Sequence, residues 1–376
     1  MEAKSLKNHG FDVTVICPKN FLHSASREKI DGIKIFRFGI PIEGSGILTL
    51  GIEYIFALAQ MTYLGLVLQA RGRFHIVHIA NPPDLLFIPA LIFKIIFKSK
   101  IVFDQHDLGP EIWEAKTGKK NGPVMEILKV FESITYRVSD FVISTNASFK
   151  EIATTRGEKN DDKVFIVRSA PTRSFGLRER QENYLTPPDK FRHLCYIGIM
   201  GEQEGIDILI EAFHILLLKG RHINLLLDLV GDGPEREKLE KLAQELGISN
   251  SVVFHGLKKD KDLINILDKA TLALNPDRPS RMNDICSGNK IVEYMALGKP
   301  IIQFDCKEGA YTAQQASILV VDKTAAGLAA AISLALNSPE KLDAMGVFGR
   351  KRFEDFLCWE NQEATLLNLY SRITLL

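Results

Sequence analysis

The chain has 376 residues, is 46% hydrophobic and 25% charged, and carries a net charge of +1. At roughly 100–200 residues per domain that length predicts about two globular domains. The near-neutral balance excludes a strongly basic nucleic-acid binder, and the five scattered cysteines (Cys17, Cys195, Cys286, Cys306, Cys358) lack the CxxC spacing of a zinc site and the pattern of a disulfide framework. Reduced thiols and no visible signal peptide predict a cytoplasmic protein.

The first half alternates strands and helices. Residues Glu2–Asn8 read as the end of a helix and Asp12–Cys17 as a strand. A doubly wound domain opens with a strand and a Gly-bearing turn. Neither is visible, so a first strand is expected to be missing, about 15–25 residues judged by the ~30 residues of a βαβ unit. Further strands are expected at Lys34–Phe38, Ile76–Ile79, Ile101–Asp104, Phe141–Thr145 and Val164–Val167, with helices at Leu48–Ala70, Pro83–Phe97, Val124–Val138 and Ser148–Thr155. The most apolar stretch, Leu85–Phe103, is interrupted by Pro89, Lys94, Lys98 and Lys100 and falls short of the ~20 uninterrupted residues of a membrane span. It reads as a buried crossover helix, with contact to a membrane surface as the alternative.

A prolyl break at Ser169–Arg192 reads as a linker, followed by a second alternating set. Its strands are expected at Leu194–Ile197, Asn224–Val230, Val252–His255, Leu272–Leu274, Pro300–Phe304 and Ile318–Val320. Its helices are expected at Gly205–Leu218, Pro234–Leu246, Lys261–Lys269, Asn289–Ala296 and Thr324–Leu336. The domains are therefore 1–170, a linker 171–190, 191–337, and a helical tail 338–376 that crosses back.

The segment NKIVEYMALGKP, Asn289–Pro300, places a helix start beside a strand end, where free N–H groups suit an anion such as a diphosphate. Its one carboxylate, Glu293, suits a pair of sugar hydroxyls; an ordinary amphipathic helix with a Gly C-cap is the alternative. Gly231, Asp232 and Gly233 form a turn after a strand. His106 and Asp107 follow the strand Ile101–Asp104, and Asn81 and Asp84 follow Ile76–Ile79. For the His–Asp pair and for Asp84, helix capping is the competing reading.

An ordered set of segments spans nearly the whole chain: EAKSLKNHGFDVTVICP, HIANPPDLL, FDQHDLGPE, FVISTNASFKEIA, YIGIMGEQEGIDILIEAF, LVGDGPEREKLEKLAQELGISNSVVFHG, NPDRPSRMND and NKIVEYMALGKPIIQFDCKEG. On these the chain resembles the retaining GT-B glycosyltransferases, family 4-like, which include many bacterial polysaccharide and lipid-linked sugar transferases. The resemblance implies an α/β fold of two Rossmann-like, doubly wound parallel-sheet domains across a cleft. It implies transfer of a hexose-type sugar, with retention, from a UDP-, GDP- or dTDP-sugar to a glycan or lipid-linked acceptor at the inner membrane face, with no cofactor and no metal.

By the same resemblance Glu293 accepts ribose hydroxyls, Lys290 faces the diphosphate, and backbone N–H groups of Gly288 and Asn289 cradle it. Gly231, Asp232 and Gly233 let the nucleotide approach the backbone, and His106 and Asp107 sit beside the transferred sugar. The family's first glutamate falls at Ile285, so Asp284 and Ser287 are expected to take its place. The usual phosphate-facing Arg and Lys are replaced by Gln203 and Glu204 in MGEQEG, leaving Lys290, Arg278, Arg281 or Arg168 to supply charge. These departures keep two alternatives open: a catalytically inactive sugar-nucleotide-binding partner subunit, and a GT-B nucleotide-sugar epimerase.

Overall fold

The computed structural model describes residues 1–19, 23–39, 47–175, 191–220 and 224–375; most of the expected linker, 176–190, lies outside them. The chain divides into two compact units, Met1–Val167 with Glu363–Leu376, and Arg168–Gln362.

The first unit runs α1 (Glu2–Asn8), β1 (Thr14–Pro18), β2 (Arg27–Ile30), β3 (Ile33–Phe38), α2 (Ile47–Gln69), β4 (Ile76–Ala80), α3 (Phe87–Phe97), β5 (Lys100–Gln105), α4 (Gly109–Thr117), α5 (Pro123–Val138), β6 (Phe141–Ser144), α6 (Ala147–Thr155) and β7 (Val164–Ile166). Its strands form two sheets, β1-β3-β2 and β4-β5-β6-β7. The second sheet is parallel throughout. Its strand β5 is buried from Ile101 onward, which is why it reads as a continuous apolar run and not as an alternation.

The first sheet departs from the expected all-parallel pattern. Strand β2 pairs antiparallel with β3 across Asp31-Gly32, whose φ angles of +48° and +82° are both left-handed. Asp-Gly between alternating side chains is a strong hairpin signal, and the sequence reading passed over it. It also passed over α4. Helix α3 starts at Phe87, later than the expected Pro83, after the Pro82-Pro83 pair that disfavours helical backbone before it. Among the described residues α2 is the one helix long and apolar enough to cross a membrane by length and composition, over Ile52–Gln69, which the sequence reading did not single out.

The second unit runs β8 (Arg192–Ile197), α7 (Ile206–Leu218), β9 (Leu225–Val230), α8 (Arg236–Glu245), β10 (Val252–Gly256), α9 (Asp260–Lys269), β11 (Ala270–Asn275), α10 (Arg281–Ile285), α11 (Asn289–Ala296), β12 (Ile301–Phe304), α12 (Lys307–Ala313), β13 (Ser317–Val320), α13 (Ala325–Leu336) and α14 (Pro339–Arg352). A π-helical turn, Phe353–Leu357, then leads into α15 (Trp359–Thr374). Helix α15 belongs to the second unit up to Gln362 and to the first from Glu363.

The six strands form one parallel sheet, β10-β9-β8-β11-β12-β13. Strand β8 is buried on both faces. Leu194 and Tyr196 point into a core with α7, α8 and α13, while Cys195 and Ile197 point into a core with α9 and α11. The winding direction reverses between β8 and β11. In open α/β sheets the crevice outside the carboxyl ends at such a reversal is where ligands bind.

Candidate functional site

The carboxyl ends of β8 and β11 are tied together by Tyr294 of α11. Its hydroxyl donates to the Leu274 carbonyl at 3.2 Å and accepts from the Ile197 amide at 2.9 Å. This fully buried ring anchors α11 on both strands of the reversal and so fixes where its first turn lies. Gly288 is the N-cap of α11 and no side chain caps the helix, so its first N–H groups remain available to an anion.

Lys290, the second residue of α11, does not stand alone. Its Nζ donates to the Glu204 carboxylate and to Asp277 Oδ1, the latter at 2.7 Å, and lies 5.0 Å from the Tyr196 ring centre. Burial disfavours charge on the amine, but Asp277 and Glu204 outweigh it and hold the pKa above the ordinary lysine range. Burial pushes Asp277 up, with Glu204 adding to the rise. Glu204 goes the other way: burial opposes ionisation and Lys290 overcomes it. The glutamate of MGEQEG is thus placed to hold the lysine, and Tyr196 donates to the same carboxylate at 2.9 Å.

Glu293 lies one turn further along α11. Its half-buried carboxyl makes no hydrogen bond or ion pair among the described residues, and burial alone raises its pKa. It is the fifth residue of the helix, beyond the first turn, so balancing the dipole does not explain it.

The other expected residues of this unit have partners. Arg168 donates to Ser287 Oγ at 3.0 Å and to Thr312 Oγ1 at 3.4 Å, with Glu308 at 3.8 Å. Arg278 is turned onto the Glu202 carbonyl at 2.9 Å and the Asp207 carboxylate, so the charge expected for phosphate is already engaged. Asp284 Oδ1 accepts from the Lys307 amide at 2.8 Å, which caps α12. Gly231 and Gly233 allow close approach, but of the chain to itself. A Cβ on Gly231 would lie 1.8 Å from the Gly198 carbonyl oxygen, and one on Gly233 2.6 Å from that of Met200. Asp232 accepts from the Gly233 amide at 2.8 Å.

In the first unit, polar groups gather at the ends of β4 and β5. Asn81 Oδ1 accepts from the His106 and Asp107 amides at 2.9 and 3.2 Å, while its Nδ2 donates to the Asp107 carbonyl at 2.8 Å and to Asp84 Oδ1 at 3.0 Å. That single side chain fixes the DQHD turn. Helices α3 and α4 have Leu86 and Leu108 at their N-caps without side-chain bonds, so neither Asp84 nor Asp107 is a cap.

His106 Nε2 lies 2.6 Å from Asp104 Oδ2. His78 Nε2 approaches the same oxygen at 3.4 Å and Glu2 at 3.6 Å, and its Nδ1 bonds the Tyr370 hydroxyl at 2.8 Å. Asp104 raises the His106 pKa despite burial, and the two histidines hold Asp104 low against its own burial. Asp104 Oδ1 is buried with no hydrogen-bond partner among the described residues. Glu2, His78 and Asp104 offer ligand atoms within 4.8 Å of one another, a set able to hold a cation. Sequence reading missed Glu2, His78, Asp104, Tyr196 and Asp277. Their one signal was position: all but Glu2 lie on or just after a strand.

Two family models match the chain. A glycosyl transferase 4-like domain matches residues 1–168, and glycosyl transferases group 1 matches residues 178–352. The chitobiosyldiphosphodolichol beta-mannosyltransferase of Candida albicans is 22% identical over 249 residues, covering 63% of this chain and 54% of that protein. The O-antigen chain mannosyltransferase C of Escherichia coli is 25% identical over 166 residues, 43% of this chain and 44% of that protein. The chain spans about half the length of the curated relatives it matches.

Among solved structures, sucrose-phosphate synthase from Thermosynechococcus elongatus superposes with a TM-score of 0.81 at 18% identity, covering 100% of this chain and 92% of that one. Anabaena HepE in complex with UDP-glucose superposes at 0.68 and 16% identity, covering 91% and 87%. These likenesses show the fold. Matched by a family model in each half and by GT-B structures over its length, the chain belongs to the family 4-like glycosyltransferases of the GT-B fold.

Proposed function

We propose that the protein is a glycosyltransferase that moves a hexose-type sugar from a nucleotide-sugar donor to a lipid-linked or growing glycan acceptor, with retention of configuration. The observation that carries this reading is Glu293, a half-buried carboxyl without a partner among the described residues, one turn from the open start of α11. A buried polar group lacking a partner is costly, and ribose hydroxyls are the partners it fits. The α11 amides and Lys290 then meet the diphosphate, whose negative charge grows as the glycosidic bond breaks. Asp277 and Glu204, which hold Lys290, would also accept from sugar hydroxyls while Lys290 stays charged. In the first unit His106, backed by Asp104, is a donor suited to a sugar hydroxyl. The UDP-glucose complex of HepE and the lipid-linked acceptor named in the Candida relative agree with this chemistry.

The test is an assay of the purified chain with UDP-, GDP- and dTDP-sugars and a polyprenyl-diphosphate-linked acceptor, followed by proton NMR of the new anomeric centre. One donor class should give a glycoside of unchanged anomeric configuration. Inversion refutes the retention claim, and interconversion of free nucleotide sugars without any glycoside supports the epimerase instead. The Glu293→Gln variant should lose about 10–100-fold in donor affinity, the range of one hydrogen bond to a charged group. The same variant should be more stable than the parent without ligand. The raised carboxyl pKa stabilises the fold below the ordinary Glu range and is lost as pH rises through the folded value, so the advantage of Gln grows with pH.

The proposed site of action is the inner face of the cell membrane. Helices α2 and α3 expose the large apolar side chains Ile55 (68%), Tyr63 (63%), Ile95 (59%) and Ile96 (63%), which suit contact with a membrane surface. Replacing Ile95 and Ile96 by Glu should lower co-sedimentation with anionic vesicles about tenfold or more while leaving the thermal midpoint in place. Unchanged sedimentation would remove this face from the account.

A further inference from the structure

Helix α11, which carries Lys290 and Glu293, is held at both ends by arginines bound up with one short segment, 168–175. At its start, Arg168 Nη1 donates to Ser287 Oγ at 3.0 Å, and Ser287 precedes Gly288, the N-cap. At its end, Arg350 donates to the carbonyl of Ala296, the last residue of α11. The same guanidinium donates to the carbonyls of Phe175 at 3.0 Å and Arg173 at 3.2 Å. The connection ahead of α11 has a second tether in Asp284, which accepts from the Lys307 amide. With Ser287 held by Arg168, the stretch 284–287 is fixed at both ends. So is the direction of the uncapped N–H groups that follow it.

Segment 168–175 is in turn laced to the run 356–362. The Arg168 amide donates to Gln362 Oε1 at 3.1 Å, and Gln362 Nε2 donates to the Phe356 carbonyl at 2.8 Å. The Trp359 amide donates to the Pro171 carbonyl at 2.9 Å. The Arg173 amide donates to the Glu360 carboxylate at 2.8 and 3.1 Å. The chain enters the second unit at Arg168 and leaves it at Gln362, so the lacing joins the two end segments of that unit. An irregular stretch must still satisfy its polar groups. This one satisfies them on α11 and on the start of α15, with Arg168 and Gln362 both buried.

We propose that the laced segments 168–175 and 356–362 position α11 for its diphosphate, with Arg168 as a positioning residue acting through Ser287, so that ligand binding at α11 and order in the lacing are coupled. This rests on the reading of α11 as a nucleotide-sugar site. Arg168 does not meet the phosphates itself. Its guanidinium is engaged by Ser287, Thr312 and Glu308 and lies 5.7 Å from the centre of the Tyr311 ring. Coupling is reciprocal. A diphosphate on the α11 amides orders Ser287 and, through Arg168, the lacing. Loosening the lacing at its far end loosens the α11 start. Glu360 is that far end: it is exposed, and it bonds the Arg173 amide and nothing on α11 among the described residues.

The test measures UDP, GDP and dTDP affinity by calorimetry for the full chain and for Arg168→Lys, Arg168→Gln and Glu360→Ala. Hydrogen exchange of the parent is followed with and without the nucleotide that binds. Saturating nucleotide should slow exchange about tenfold at 168–175 and 356–362 as well as at the α11 start. Affinity should fall about 3–30-fold in all three variants, while the unliganded thermal midpoint of Glu360→Ala stays at the parent's. Glu360→Ala keeps the test open should the buried Arg168 variants fail to fold. Arg168→Lys keeps the charge and loses the fork that reaches Ser287 and Glu308 together. Full affinity in that variant would show that charge acts and not position, and overturns the proposal. Parental affinity in Glu360→Ala, or exchange slowed at α11 alone, overturns it too. A parent that binds none of the three nucleotides overturns the donor-site reading and the coupling with it, whereas variants that bind as the parent does overturn the coupling alone.

Discussion

Lys290→Met removes donor binding and lowers folding stability by about 3 kcal/mol at neutral pH. The amine is the sole cation bonded to both Glu204 and Asp277 among the described contacts, and its side chain is 11% exposed. Methionine keeps the packing against Tyr196 but leaves two carboxyls close together with no counter-charge. Because these carboxyls are 28% and 18% exposed, the cost belongs at the lower end of that for breaking a buried pair. The sign with pH follows from Glu204. Lys290 depresses its pKa, so its stabilising contribution is present above the ordinary Glu range and is lost as pH falls through the folded value. The difference between parent and variant should therefore shrink on acidification. Denaturant unfolding at pH 7 and pH 5 reads it, and a stability loss independent of pH would show that Lys290 acts through packing alone.

Arg156→Leu should be the most destabilising single change of the first unit, by about 3–5 kcal/mol. Arg156 reaches Glu111 with both terminal nitrogens, at 2.7 and 3.0 Å, and Glu132 at 2.7 Å. Glu111 is 1% exposed, so removing the guanidinium takes the bidentate counter-charge from a buried carboxylate that lies beside a second one. Burial already raises the Glu132 pKa, with Arg156 opposing. Without Arg156 nothing opposes the burial that raises the Glu132 pKa, so stability falls as pH rises through its raised value. The Arg156→Leu, Glu111→Leu, Glu132→Leu triple variant should recover most of the loss, since neither buried carboxylate then lacks the guanidinium. If the triple variant is as unstable as the single one, the packing of the guanidinium stem and not its charge is what matters.

Much of the architecture was legible. Strands such as Val252–Gly256 and Ile301–Phe304 are short apolar runs, and α11 was read at its observed bounds, Asn289–Ala296. Periodicity reports burial, and burial is what these elements have in common. The β2–β3 hairpin was missed because Arg27–Ile30 is mostly exposed and polar, so its only signal was the Asp-Gly turn. Glu293 and Lys290 were found because they share a helix start with a strand end. The partners of Lys290 were not, because Glu204 and Asp277 come from loops after β8 and β11, which adjoin only in the folded sheet. The same holds for Arg278, whose engagement by Asp207 no spacing reveals.

The central claim is that α11 and Glu293 form a nucleotide-sugar site. It is tested most directly by titrating the parent and Glu293→Gln with UDP-, GDP- and dTDP-sugars in a calorimeter. The account predicts saturable binding of one nucleotide class to the parent, weakened 10–100-fold in the variant by the loss of one charged hydrogen bond, with the variant's unliganded thermal midpoint at or above the parent's. Equal affinity in both proteins would contradict it.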